Sequence, residues 1–191
     1  VFTDGAAGGR MVADYLWERG HRSVACIAVD KQAFGVGNWG EPQRRFRHGE
    51  AFAGRWHELG GEMTILQGKK PDGEEGVDAD VLTRLLNQTP AVTAIHGFRD
   101  VDAHGIQRQL TKVAPAVAET IEFIGYYDTP WSRMVSQPFA SVSLNLPAVA
   151  DAVAQVLKKI RSDQEIAPRQ QWIAPQLKTV DTAVPELAGE V

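Results

Sequence analysis

Thr93-Ala94-Ile95-His96-Gly97-Phe98-Arg99-Asp100-Val101-Asp102-Ala103-His104-Gly105 is an apolar run that ends in a charged dipeptide and continues as a helix-forming stretch. A second apolar run follows and ends in Gly125-Tyr126-Tyr127-Asp128-Thr129-Pro130. The third segment, Gln137-Pro138-Phe139-Ala140-Ser141-Val142-Ser143-Leu144-Asn145, leads into another helix. Short apolar runs alternating with amphipathic stretches predict a parallel sheet flanked by helices. In such a fold the loops at the strand C-termini form the binding site.

Outward from this stretch the alternation holds. Met11, Val12, Tyr15 and Leu16 recur at helical spacing, and Gly20 suits the end of that helix. Val24 to Val29 reads as a strand buried on both faces. Pro42 suits a helix start, with Phe46, Phe52, Trp56 and Leu59 inward and Gly60-Gly61 closing it. Met63 to Leu66 reads as a strand, and Val81, Leu82, Leu85 and Leu86 mark a helix ending before Pro90. Val92 to Ile95 is a strand, Asp100 to Val113 a helix, and Ile121 to Ile124 a strand. Pro147 sits in the first turn of a helix carrying Val149, Val153, Val156 and Ile160. A short strand pair is expected around Trp172-Ile173 and Leu177 to Val180, then a loose end from Ala183. Two loops stand out: Lys31 to Glu41, with three glycines and Trp39, and the polar, charged Gly68 to Gly76.

The chain of 191 residues is 43% hydrophobic and 23% charged, ordinary values for a globular protein. No apolar run approaches the ~18–20 residues of a membrane span. A net charge of −4 argues against this piece gripping nucleic acid, which needs a basic face. The one cysteine, Cys26, lies inside an apolar run and reads as a buried small hydrophobe; it excludes an internal disulfide.

Signatures of catalysis are missing. There is no Gly-x-Ser-x-Gly elbow, no phosphate-loop lysine motif and no His-Glu-x-x-His. Gly5-Ala6-Ala7-Gly8-Gly9 faintly suggests a dinucleotide fingerprint, but its spacing is wrong, and it reads as a loop cluster entering a helix. His96, Asp100 and His104 are spaced four apart, which on one helix would align metal ligands. His96 falls on a strand end instead, so surface and cleft histidines are the better reading. The expectation is a binding protein that is not an enzyme, with no cofactor and no metal.

The three opening segments, in this order and spacing, resemble the effector-binding domain of the lac-repressor family of transcription regulators, relatives of the type I periplasmic sugar-binding proteins. The family pattern is a strand, an Asn-Asp pair opening a helix, a Gly-Tyr/Phe-Asp-Asp turn, and a Pro-Leu-Thr-Thr-Val return strand. Gly8 to His21 is similar to the family helix that ends in Leu-x-x-x-Gly-His before a strand. The resemblance covers roughly residues 1 to 182.

It implies site residues position by position. The Asn-Asp pair becomes Arg99-Asp100, with Arg99 at a frequent effector contact and Asp100 either a helix cap or a ligand contact. The first aspartate of the turn becomes Tyr127, followed by a retained Asp128. Counting back from Leu59-Gly60, the place of a ligand-clasping arginine falls on His48, with Arg45 and Arg47 within a turn. A frequent glutamine near the last crossover becomes Leu144, next to Asn145. These exchanges remove hydrogen-bonding capacity and charge, implying a less polyhydroxylated ligand, or a sugar bound in another way, with Trp39 or Tyr127 stacking on its apolar face, or a ligand carrying an anionic group near Arg99 and Arg45. Trp131 and Met134 fall in a region that often forms the subunit interface.

The implied fold is α/β, two Rossmann-like subdomains of the type I periplasmic-binding-protein kind joined by three crossovers, with the effector between them. Residues 21–144 and 164–182 would form the C-terminal subdomain, residues 1–20 and 145–163 part of the N-terminal one, and 183–191 a tail. One strand and two helices cannot cover each other's apolar faces, so the N-terminal subdomain reads as incomplete and the chain as a fragment. For the same reason, the absence of a secretory signal at Val1 carries little weight. The expected protein is a cytoplasmic homodimer whose partners are a small-molecule effector, a sugar or sugar derivative, and DNA through a helix-turn-helix outside this chain, with no membrane. The rivals are a periplasmic solute-binding protein of the same fold and a Rossmann-type enzyme; a helix-turn-helix or a signal peptide upstream of Val1 separates the first two.

Overall fold

Residues 1–28, 47–67, 77–165, 168 and 170–180 are described by the structure, a computed structural model. In chain order they form β1 (Phe2–Thr3), α1 (Gly5–Glu18), β2 (Ser23–Ala28), α2 (Arg47–Glu58), β3 (Glu62–Gln67), α3 (Ala79–Asn87), β4 (Ala94–Gly97), α4 (Asp100–Val113), α5 (Pro115–Ala118), β5 (Glu122–Tyr126), β6 (Ala140–Ser143), α6 (Leu146–Arg161), β7 (Trp172–Ile173) and β8 (Gln176–Lys178). One sheet runs β3-β2-β4-β5-β6-β8, parallel except for β8, which is antiparallel to β6. A second, two-stranded parallel sheet joins β1 to β7.

Alternation along the strands decides which helix goes where. Val24, Cys26, Ala94, Ile124, Tyr126, Ala140 and Val142 face one side, under α1 and α2. Ala25, Ile27, Ile95 and Phe123 face the other, under α3, α4 and α5. Two apolar layers thus sandwich the sheet, as continuous buried strands require.

The glycine cluster near the start of the chain lies inside a helix rather than in a loop before it. Asp4 caps α1, its carboxylate accepting from the Ala7 N–H at 3.0 Å. A side chain at Gly9 would meet the His48 backbone carbonyl at 2.0 Å, and one at Gly8 the Tyr126 hydroxyl at the same distance. Glycine in a helix costs about 1 kcal/mol against alanine, and here it lets α1 lie against α2 and β5.

α1 corrects one expectation. It was grouped with the helix from Leu146, yet Val12, Ala13 and Leu16 are fully buried with Phe52 and Trp56 on the six-stranded sheet. Below them Glu122, at the start of β5, accepts from Tyr15 Oη at 2.9 Å, Arg19 Nε at 2.8 Å and His21 Nε2 at 2.8 Å. Burial alone would raise this carboxyl; the donors His21, Arg19 and Tyr15 overcome it and hold the group at about 2.

The strand pair of the tail needs a second correction. β7 and β8 do not pair with each other: β7 joins β1, and β8 joins β6. Periodicity marks a strand but not its partner. α6 stands apart from both layers. Of its residues only Ala152 is buried, while Leu146, Val153, Leu157 and Ile160 are exposed.

The Glu122 cluster gives a measurable consequence. Glu122→Gln should destabilise the fold by about 2 kcal/mol, as loss of charge-assisted hydrogen bonds in a half-buried site does. Because the folded group titrates near 2 rather than 4.5, its contribution is complete above about pH 4.5 and fades as pH falls toward 2. Urea midpoints of the two proteins across pH 2–7 should therefore converge at the acid end.

Candidate functional site

Leaving β2, the chain passes through α2 to β3 on one side, then returns to β4 on the other. This reversal opens a crevice at the strand C-termini, where open α/β sheets bind ligands. A cavity of about 190 Å³ lies at this end of the sheet, beside the C-termini of β5 and β6. Phe2, Thr3 and Trp172, from the β1–β7 pair, form one side of it; His48, Tyr126 and Tyr127 form the other. Gly5, Arg47 and Leu144 complete the lining.

His48 opens α2 and is 4% exposed. Its ring stacks on Tyr126 at 4.0 Å and lies 4.0 Å from Phe98. Nε2 donates to the Phe98 carbonyl at 3.1 Å. Burial pushes the imidazole down to about 4 against that carbonyl's pull, so it is neutral at pH 7, with Nδ1 as an acceptor. His96 lies deeper, 4.7 Å from Phe52, and burial together with His48 pushes it to about 3. The Tyr126 hydroxyl is buried with no hydrogen-bond partner among the described residues. Burial, then Tyr127 and Asp4, keep it well above the usual range and protonated.

Tyr127 and Asp128 both have left-handed backbones, with φ of 94° and 52°. Bulky residues seldom adopt that region. Two bonds hold the turn: Tyr127 N–H to the Val142 carbonyl at 2.8 Å, and Asp128 N–H to Ser141 Oγ at 2.9 Å. The Asp128 carboxylate pairs with Arg133.

Asp100 is placed neither as a cap nor in the cavity wall. It is wholly buried, and Oδ1 accepts from Ser141 Oγ at 2.6 Å. Oδ2 accepts from Thr129 N at 2.6 Å and Thr129 Oγ1 at 2.8 Å. Burial raises its carboxyl, with the Ser141 and Thr129 donors working against the rise. Asp102 caps α4 instead, accepting from the Arg99 N–H at 2.9 Å and from the guanidinium at 3.0 and 2.6 Å. Arg99 is therefore engaged with Asp102, close enough to Tyr127 to act on its hydroxyl but outside the cavity lining. Asn145 has φ of 55° and precedes α6; its Nδ2 donates to the Ala174 carbonyl at 3.2 Å, tying β6 to the segment after β7. Trp39 and Arg45 lie outside the described residues.

Of the expected site residues, then, His48 and Tyr127 meet in one cavity, with Leu144, the neighbour of Asn145, beside them. Phe2, Tyr126 and Trp172 were missed. Tyr126 is the neighbour of a residue that was singled out, but nothing local marks Phe2 or Trp172, which meet through a long-range strand pair. Trp131 is 51% exposed and stacks on His104 at 5.0 Å, and Met134 is 83% exposed. A larger cavity, about 490 Å³, lies at the opposite ends of the strands. There Tyr15, Arg19 and Glu122 are already engaged with one another. Among the described residues no His, Cys, Asp and Glu cluster could hold a metal ion, and no helix is long and apolar enough to cross a membrane.

The periplasmic binding protein-like domain matches residues 13–182, and the chain belongs to that family. The HTH-type transcriptional repressor PurR of Vibrio cholerae is 23% identical over 184 residues, covering 95% of this chain and 52% of the repressor. A LacI family transcriptional regulator from Arthrobacter sp. FB24, solved with lactose, superposes with a TM-score of 0.68 at 19% identity, over 92% of this chain and 62% of its own. A periplasmic binding protein/LacI transcriptional regulator from Alkaliphilus metalliredigens, solved with D-xylulofuranose, gives 0.65 at 18%, with the same coverage. The chain thus spans about half the length of the curated relatives it matches.

The Asp100 and Tyr127 geometries are open to measurement. Asp100→Ala should cost about 3 kcal/mol in urea unfolding, because it strands the buried Ser141 hydroxyl and two part-buried Thr129 donors. Tyr127→Gly should be more stable than Tyr127→Ala by about 1 kcal/mol, since glycine relieves the left-handed backbone. Equal stability of the two would show that the turn is not strained.

Proposed function

We propose that this chain is the effector-binding core of a lac-repressor-type transcription regulator, which binds a small molecule and performs no chemistry. The observation that carries the reading is the cavity at the strand C-termini, where Tyr127, His48 and Leu144 meet the β1–β7 pair. The family supports it, as do the sugars held by the neighbouring structures from Arthrobacter and Alkaliphilus. PurR, a transcriptional repressor, supports the regulatory role.

In this reading the six-stranded sheet with its helices is one lobe, β1 and β7 are crossovers, and α6 belongs to a second lobe. An effector in the cleft biases the relative orientation of the lobes and so the affinity of the intact protein for DNA. The intact protein is a cytoplasmic homodimer that reads DNA through a helix-turn-helix. Exposed Trp131 and Met134 suit a self-complementary patch across a two-fold axis, facing the partner's helix from Asp100 to Val113.

Two measurements on the full-length protein test this. In calorimetric titration against pentoses, hexoses and disaccharides, Tyr127→Ala should weaken the best ligand at least tenfold, about 1.4 kcal/mol. Unchanged affinity in that variant places the ligand elsewhere. In sedimentation, Trp131→Asp should yield monomers with weakened operator binding; an unaltered dimer removes Trp131 from the interface.

A further inference from the structure

Among the described residues, the lining of the cleft carries charge of one sign. Arg47 is the one ionised side chain among the described residues that line it, and no carboxylate or side-chain amide does so. Arg47 makes no ion pair with any described residue. Its guanidinium lies over the Trp172 ring at 5.3 Å, which leaves the edge of the fork open to a ligand. Its stem packs against Gly5, the first residue of α1, whose first turn contains no acid. The positive end of that helix thus faces the same opening, offset in part by Asp4, whose carboxylate is spent on the Ala7 N–H.

The remaining polar groups are neutral. Tyr126 is 1% exposed, and its unpartnered hydroxyl stands against Gly8 in the same first turn. His48 offers one neutral nitrogen. A neutral polyol needs acceptors and donors for several hydroxyls, the work carboxylates and amides do well. The described walls instead offer a planar cation, the hydroxyls of Thr3 (already donating to the Leu144 carbonyl), Tyr126 and Tyr127, one imidazole nitrogen and the aromatic faces of Tyr127 and Trp172.

We propose that the effector is a small single ring bearing one anionic group, a carboxylate or a phosphate, which Arg47 grips while the ring lies between Tyr127 and Trp172. This rests on the cleft reading above and makes Arg47 its specificity determinant. The part of the cavity bounded by the described residues, about 190 Å³, is of the size of one ring. Bidentate geometry suits both anions.

Calorimetric titration of the full-length protein with D-glucose, D-glucuronate and D-glucose 6-phosphate compares one ring with and without each anion; benzamide and benzoate form a second, aromatic pair. At least one anion should bind tenfold or more tighter than its neutral partner, with affinity falling as salt rises. The winner distinguishes carboxylate from phosphate. Arg47→Gln should erase the preference at an unchanged melting temperature, and Arg47→Lys should keep part of it. Equal binding of neutral and anionic partners, a preference that survives Arg47→Gln, or no binding by any anion overturns the inference. A neutral member that binds as tightly as its anionic partner, and is lost in Tyr127→Ala, sinks the anion while leaving the cleft in place.

Discussion

Asp100 is a carboxylate removed from water and held by three donors from two other parts of the chain. Burying such a group without partners would cost several kcal/mol, so its donors are not optional. Ser141 fixes the strand β6 beside β5, and Thr129 fixes the turn that leaves β5. The same Ser141 hydroxyl accepts from Asp128 N–H, so the left-handed turn at Tyr127 hangs on the same two side chains. Even Gly125 belongs to this arrangement: a side chain there would meet Asp100 Oδ1 at 2.1 Å. The aromatic wall of the cleft is therefore positioned from behind, by a buried polar group outside the cavity lining.

In front of this support the cleft is built of rings. Phe98, His48 and Tyr126 stack in succession, and Tyr127 meets Tyr126 edge-on at 5.2 Å. A neutral imidazole among aromatic faces acts as one more flat surface, which is why burial pushes its titration so low. The arginine expected from the family would have brought a charge to this place. Among the described lining residues the charge sits one residue earlier, on Arg47.

Local signals in the sequence were read well where one element carried its own evidence. α4 runs from Asp100 to Val113 as its pattern required, and α2 buries Phe52 and Trp56 as its spacing required. His48 followed from counting back along one helix, a rigid ruler. Errors arose where the answer lay in another part of the chain. Asp100 has the look of a cap because aspartate before a helix so often is one; only the distant Ser141 and Thr129 make it a core group. The glycines of α1 read as a loop because the surfaces they clear, His48 and Tyr126, are far away in sequence. Strands β7 and β8 were seen, but their partners were not, since pairing is a tertiary fact.

The β1–β7 pair has a consequence for how the cleft comes into being. Phe2 meets Trp172, and Thr3 Oγ1 donates to the Leu144 carbonyl 141 residues away. One wall of the cavity thus exists only after strands near opposite ends of this sequence have closed over everything between. Loop closure of that length is a late event in folding, and during synthesis Trp172 leaves the ribosome long after β2 to β6 can assemble. The sheet can form as a nascent body while the cavity cannot. Its closure is thereby reserved for chains that have been made and folded through Trp172, and a truncated product that keeps the hydrophobic layers would lack one of the cavity walls.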